Sequence, residues 1–108
     1  MSETVNADQI ITVGASRTLT VGANQTIQVG AMRALAVGTN EAIEIGGTQT
    51  TTVGRTLMLS AGDEIVLKVG AASITLNRNG NVVIEGTSIT LKASGDIVLK
   101  GQKILESQ

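Results

Sequence analysis

The sequence contains no cysteine, histidine, proline, phenylalanine, tyrosine or tryptophan, and each absence removes a class of explanation. Without Cys and His there is no disulfide framework and no ordinary zinc, haem or iron–sulfur site. The nucleophile pairings that depend on imidazole or thiolate are also missing. The lack of cysteine by itself assigns no redox compartment. Without aromatic rings there is no platform on which bases could stack, and eight basic against nine acidic residues leave a net charge of −1, so no electrostatic footprint for nucleic acid exists. Long apolar runs are missing as well. The longest, Ala34–Val37, is far short of the roughly 20 residues of a membrane-spanning helix. The start Met1–Ser2–Glu3–Thr4 lacks the basic stretch and apolar segment of a secretory signal.

What remains is a chain of 108 residues whose apolar 42% consists of Ala, Val, Ile, Leu and Met, with 13 glycines. A domain of this size usually anchors its core on large side chains, and here they are absent. Its organisation is a repeat. Gly14, Gly22, Gly30, Gly38, Gly46, Gly54, Gly62 and Gly70 recur every eight residues, and all but Gly62 follow Val or Ile. Asn6 after Val5 opens the series one octad earlier. A second beat places apolar residues two apart: Ile11/Val13, Leu19/Val21, Ile27/Val29, Leu35/Val37, Ile43/Ile45, Leu67/Val69, Ile74/Leu76, Val82/Ile84, Ile89/Leu91 and Ile97/Leu99. Residues i and i+2 of a strand share a face, so each pair is one inward step. Thr12, Thr20, Gln28, Glu44, Lys68, Thr75 and Thr90 then face water. The β-branched content suits a pleated strand and argues against a helix.

Each octad therefore reads as a short strand and a bend, with Gly supplying positive φ or room for close backbone approach. Residues 1–70 form a regular octad shaft. After Gly70 the glycines drift while the pairs hold, so 71–108 reads as a modified end section and tip of the same architecture, with no linker between.

Energetics decide how octads assemble. Two buried aliphatic side chains contribute about 1.5–3 kcal/mol each, whereas ordering eight backbones costs about 1–2 kcal/mol apiece. One octad is one side of a prism, and three sides are needed to enclose a core. They could come from one chain, as about four coils of 24 residues, or from three chains giving one octad each to every layer; an ordinary β-sandwich is a further alternative. The period of eight without a stronger period of 24 favours three chains. The expected fold is thus all-β, a triple-stranded β-helix (β-prism) of three intertwined chains with one octad per chain per layer. Stacked at about 4.8 Å, the layers would extend roughly 60–65 Å.

The Val-Gly octads, in phrases such as Val21–Gly22–Ala23–Asn24–Gln25–Thr26 and Ser94–Gly95–Asp96–Ile97–Val98–Leu99–Lys100–Gly101, resemble the triple-stranded β-helix of the VgrG spike of type VI secretion and of its relatives, the central spikes of contractile-tailed phages. The resemblance spans nearly the whole chain. It implies a homotrimer whose C-terminal end is the puncturing tip, carried at the head of an expelled tube. Assembly in the cytoplasm, delivery into or across a target membrane and transient membrane contact are implied too. Complete relatives carry N-terminal hub and small-barrel domains, through which the tube and effectors would be engaged. These do not fit in 108 residues, so the chain resembles an excised C-terminal needle. Some phage relatives hold iron at the apex through a His-x-His motif, and this sequence departs from them in having no His.

Other candidates for chemistry have plainer readings. Glu41 and Glu44 could suggest a glycosidase pair, but three apart on a strand they face opposite sides. Asp63–Glu64 could offer oxygens to calcium, although the spacing matches no EF-hand loop and reads better as a charged bend. Ser94 with Lys92 or Lys100 could suggest a Ser–Lys dyad, yet both lysines follow inward leucines and suit edge protection. Met32 and Met58 read as bend, surface or gap-filling residues.

No catalytic, cofactor-binding or metal site is expected, and no enzyme activity. The inward beat ends at Ile104, whose i+2 partner is Glu106. Lys103, Ile104 and Leu105 are therefore the expected docking plateau for a tip partner, which in spikes of this kind is a small PAAR-repeat protein. The leading expectation is a mechanical spike. The alternative is a β-solenoid platform that binds a tip protein or effector.

Overall fold

A computed structural model describes residues 7–107; Val5 and Asn6, which open the octad series, and the terminal Gln108 lie outside the described residues. The described chain is all-β, with no helix. It divides into two units, Met1–Gly47 and Thr48–Gln108, and the division falls at the Gly46–Gly47 pair.

In the first unit the backbone is extended between bends at 14–15, 22–23, 30–31, 38–39 and 46–47. Every one of these bends begins on an octad glycine. Exposure repeats with the same period. The first member of each apolar pair from Ile11 to Ile43 is 58–68% exposed and the second, from Val13 to Ile45, is 43–48% exposed. Equal sequence has produced equal local geometry, octad after octad.

The second unit begins in the same way, with bends at 54–55 and 62–63, and then changes character. Three strands, β1 (Glu64–Val69), β2 (Ala72–Asn77) and β3 (Val82–Glu85), form an antiparallel sheet in the order β1-β2-β3. The first connection is the two-residue turn Gly70–Ala71, closed by Val69 opposite Ala72. Gly70 has φ 54° and Ala71 an ordinary φ, the pattern of a II′ hairpin turn with Gly at its first central position. The second connection runs over Arg78–Asn79–Gly80. The Asn77 amide donates to the Asn81 carbonyl at 2.9 Å and the Gly80 amide to the Asn77 carbonyl at 3.0 Å. With Gly80 at φ 93°, this is a three-residue turn ending in a glycine bulge. The Asn81 amide also donates to Asn79 Oδ1 at 3.3 Å. Beyond β3 the chain is again extended, with bends at 87–88, 94–95 and 101–102.

Two features differ from the sequence reading. Positive φ was one of two roles expected of the octad glycines, but among the described residues it occurs only at Gly70 and Gly80. At the other octad positions the bend is made without it. Second, 64–85 pairs with itself as a meander instead of leaving each strand to pair across chains, because its two turns reverse the chain while an octad bend does not.

Candidate assembly surface

The register of the meander decides which side chains share a face. Ile65 lies opposite Leu76, Leu67 opposite Ile74, Ile74 opposite Ile84 and Leu76 opposite Val82. Directly paired residues point to the same side of an antiparallel sheet, so these six aliphatic side chains form one continuous apolar face. The other face carries Glu64, Val66, Lys68, Ser73, Thr75, Asn77, Val83 and Glu85. It includes a cross-strand row in which Ser73 stands between Lys68 and Glu85. Lys68 and Thr75 are therefore on the side opposite the inward pairs, as the alternation requires. In the central strand β2 the half-buried residues are Ser73, Thr75 and Asn77 on this polar face, so Thr75 is partly covered where the alternation had it facing water; Ile65 is the other half-buried residue.

Among the described residues this apolar face stays largely uncovered. Leu67, Ile74, Leu76, Val82 and Ile84 are 39–59% exposed. Beside them an open hollow of about 410 Å³ is lined by Leu67, Val69, Ile74, Ile84 and Ile89 among others. The same holds throughout. No described residue of either type, apolar or polar, is buried. A one-chain solenoid or a β-sandwich would bury its inward pairs, and neither unit does so. Contiguous exposed apolar surface on this scale marks an interface.

Backbone groups tell the same story. Among the described residues, the backbone hydrogen bonds outside the sheet ladder are the two within the second turn and one from the Arg78 amide to the Asp63 carbonyl at 2.9 Å. Gln9 makes an interaction of its own. The amides and carbonyls of the extended octads otherwise stand as open strand edges, which invite pairing with another chain.

The polar candidates are dispersed. Glu41, Glu44, Ser94, Lys92 and Lys100 are all exposed, with Ser94 at the 94–95 bend, and among the described residues no hydrogen bond joins Ser94 to either lysine. Asp63 sits in the 62–63 bend with its Oδ1 3.6 Å from Arg78 Nη1, an exposed ion pair. Among the described residues no group of three or more acidic side chains gathers there or elsewhere. Met32 and Met58 are exposed. Lys103, Ile104 and Leu105 lie in the extended segment after the last bend, the two aliphatic residues exposed by 65% and 82%. Among the described residues no helix is long and apolar enough to cross a membrane.

The sequence reading expected bends and neither hairpin turn, and at the second the miss was avoidable. The signal was present as Asn79–Gly80 between the pairs Ile74/Leu76 and Val82/Ile84, a strong short-range hairpin signature. It was masked because the apolar beat runs on through it unchanged.

Residues 1–76 match the family model of the bacteriophage T4 gp5 C-terminal trimerisation domain. The match covers every octad and ends within β2. No curated protein matches the chain.

Proposed function

The chain belongs to the family of the bacteriophage T4 gp5 C-terminal trimerisation domain, and on that premise we propose that three copies form the rigid, non-catalytic needle of a contractile injection machine. The observation that carries this reading is the exposure of every inward aliphatic pair in one chain. Along the octads the proposed assembly is a triple-stranded β-helix with one octad per chain per layer. Hydrogen bonds between chains and a dry aliphatic core would resist bending as the needle is driven into or across a target membrane. Assembly in the cytoplasm and expulsion on the end of a tube, in a type VI secretion system or a phage tail, follow from the same reading.

The test is the mass in solution. About 33 kDa, three times 11.0 kDa, is expected, and 11 kDa would overturn the reading. The trimer should also unfold only above about 90 °C, because most backbone groups would be paired between chains; a reversible melt near 50 °C would contradict that pairing.

A docking role at the tip is favoured by the exposure of Ile104 and Leu105. Three copies of Lys103, Ile104 and Leu105 would surround a blunt apolar end, and a PAAR-type protein is the proposed cap. Its binding to the trimer should be lost when the chain is ended at Lys100, with circular dichroism confirming that the shortened trimer is folded. Equal affinity for both forms would remove the tip from the hypothesis.

A further inference from the structure

The octad repeat leaves one question of assembly open. A strand slipped by one residue exposes its apolar face and is rejected. A slip of eight residues, however, returns an Ile/Leu-x-Val/Ile-Gly unit opposite another such unit over most of the run from Ile11 to Gly54. The repeat, being nearly uniform, discriminates poorly between registers that differ by whole octads.

The meander has no such degeneracy. Among the described residues it is made once, by two turns that contain all of their positive-φ positions. After it the bends come at 87–88, 94–95 and 101–102, spaced by seven residues and not by eight. Its hydrogen bonds are its own, made between neighbouring segments of one chain, so it can form before any partner arrives. A three-stranded sheet with one bare apolar face is nevertheless marginal until that face is covered. The family match runs through β1 and most of β2, which makes this face continuous with the trimerisation region. The opposite face is the more polar one, carrying Glu64, Lys68 and Glu85 beside Val66 and Val83.

We propose that the apolar face of the meander, Ile65, Leu67, Ile74, Leu76, Val82 and Ile84, packs against the same face of the two other copies and thereby sets the register of all three chains. The octads then pair outward from an alignment that the meander has already fixed. This inference rests on the trimeric reading above.

The test uses a second chain lacking one octad, residues 23–30, whose removal joins Gly22 to Ala31 and keeps the repeat in phase. The sequence has no cysteine, so Ser94→Cys in both chains gives one spin-label site per copy, in the segment after the meander. Each chain is first shown by mass to trimerise alone, which separates failure of the trimeric reading from failure of this one. Trimers are then formed from mixtures and measured by pulsed electron paramagnetic resonance. Mixed trimers with the same label distance as the unmixed ones are expected, because all copies align through the meander and the missing octad shows only toward the N-terminus. A second distance component, arising from an axial offset of about one layer or 4.8 Å, would mean that the N-terminal octads set the register. Exclusive recovery of unmixed trimers would overturn the proposal as well, since it would show that octad number, and not the meander, selects partners.

Discussion

The octad run and the meander use the same ingredients, aliphatic pairs two apart and glycines in the connections between them, yet one leaves its backbone open and the other closes it. The difference lies in the turns. At Gly22 or Gly38 the chain bends without positive φ and continues onward, so consecutive octads do not fold back on each other and, among the described residues, form no ladder within the chain. At Gly70 and Gly80 positive φ lets the chain reverse within two or three residues, and neighbouring strands pair at once. Apolar periodicity thus specifies which face is buried. Turn stereochemistry specifies whether neighbouring segments of the chain pair with each other.

The sharpest way to break the comparison is to charge an octad. Val29→Asp would place three carboxylates in one enclosed layer beside Ile27. An unpaired buried charge costs several kcal/mol per copy, so trimer formation should be abolished, as read by mass in solution. Thr26→Asp, outside the pair, should leave the trimer intact. Recovery of a heat-resistant Val29→Asp trimer would contradict the inward assignment of the pair.

A shared face for residues two apart was legible in the sequence for a physical reason, the period of two along a strand, and in the meander the register does place Leu67, Ile74, Leu76, Val82 and Ile84 together. The bends at all seven octad glycines from Gly14 to Gly62 were equally legible, since Gly recurs there and nowhere between until Gly47. The hairpin at Asn79–Gly80 was overlooked because pairs 74/76 and 82/84 continue the beat, and periodicity is blind to chain reversal. What covers Ile104 and Leu105 is not written in one chain, because exposed apolar groups announce an interface without naming its other side. The same limit applies to the octads. Their cover follows from family membership and from the arithmetic of burial, not from contacts within the chain.

A smaller effect should separate the two kinds of glycine. Gly70→Ala forces a side chain into positive φ and should destabilise each meander by about 1–3 kcal/mol, measured as a lower denaturation midpoint. Gly22→Ala meets nothing within 4 Å in its own chain and requires no positive φ. Any loss of stability there must come from a neighbouring copy. An unaltered Gly22→Ala trimer would show that the octad glycines are not sites of close approach between chains, while a loss as large as that at Gly70 would show that they are.

The smallest effect is expected where the two regions meet. Asp63, in the last octad bend, is tied to the meander twice: its carbonyl accepts from the Arg78 amide at 2.9 Å, and its carboxylate lies 3.6 Å from the Arg78 guanidinium. The two ties should not weigh equally. The side chains are 79% and 88% exposed, and an exposed ion pair contributes at most about 1 kcal/mol because water and salt screen it. Asp63→Asn should therefore lower stability by less than about 1 kcal/mol, and the difference from wild type should shrink further in concentrated salt. Arg78→Pro removes the amide that extends the β1–β2 ladder past Glu64 and Asn77, so it should cost more and be indifferent to salt. If Asp63→Asn proved the more damaging of the two, the carboxylate would have to be engaged by another copy in the assembly, and the junction between octads and meander would be a contact between chains and not within one.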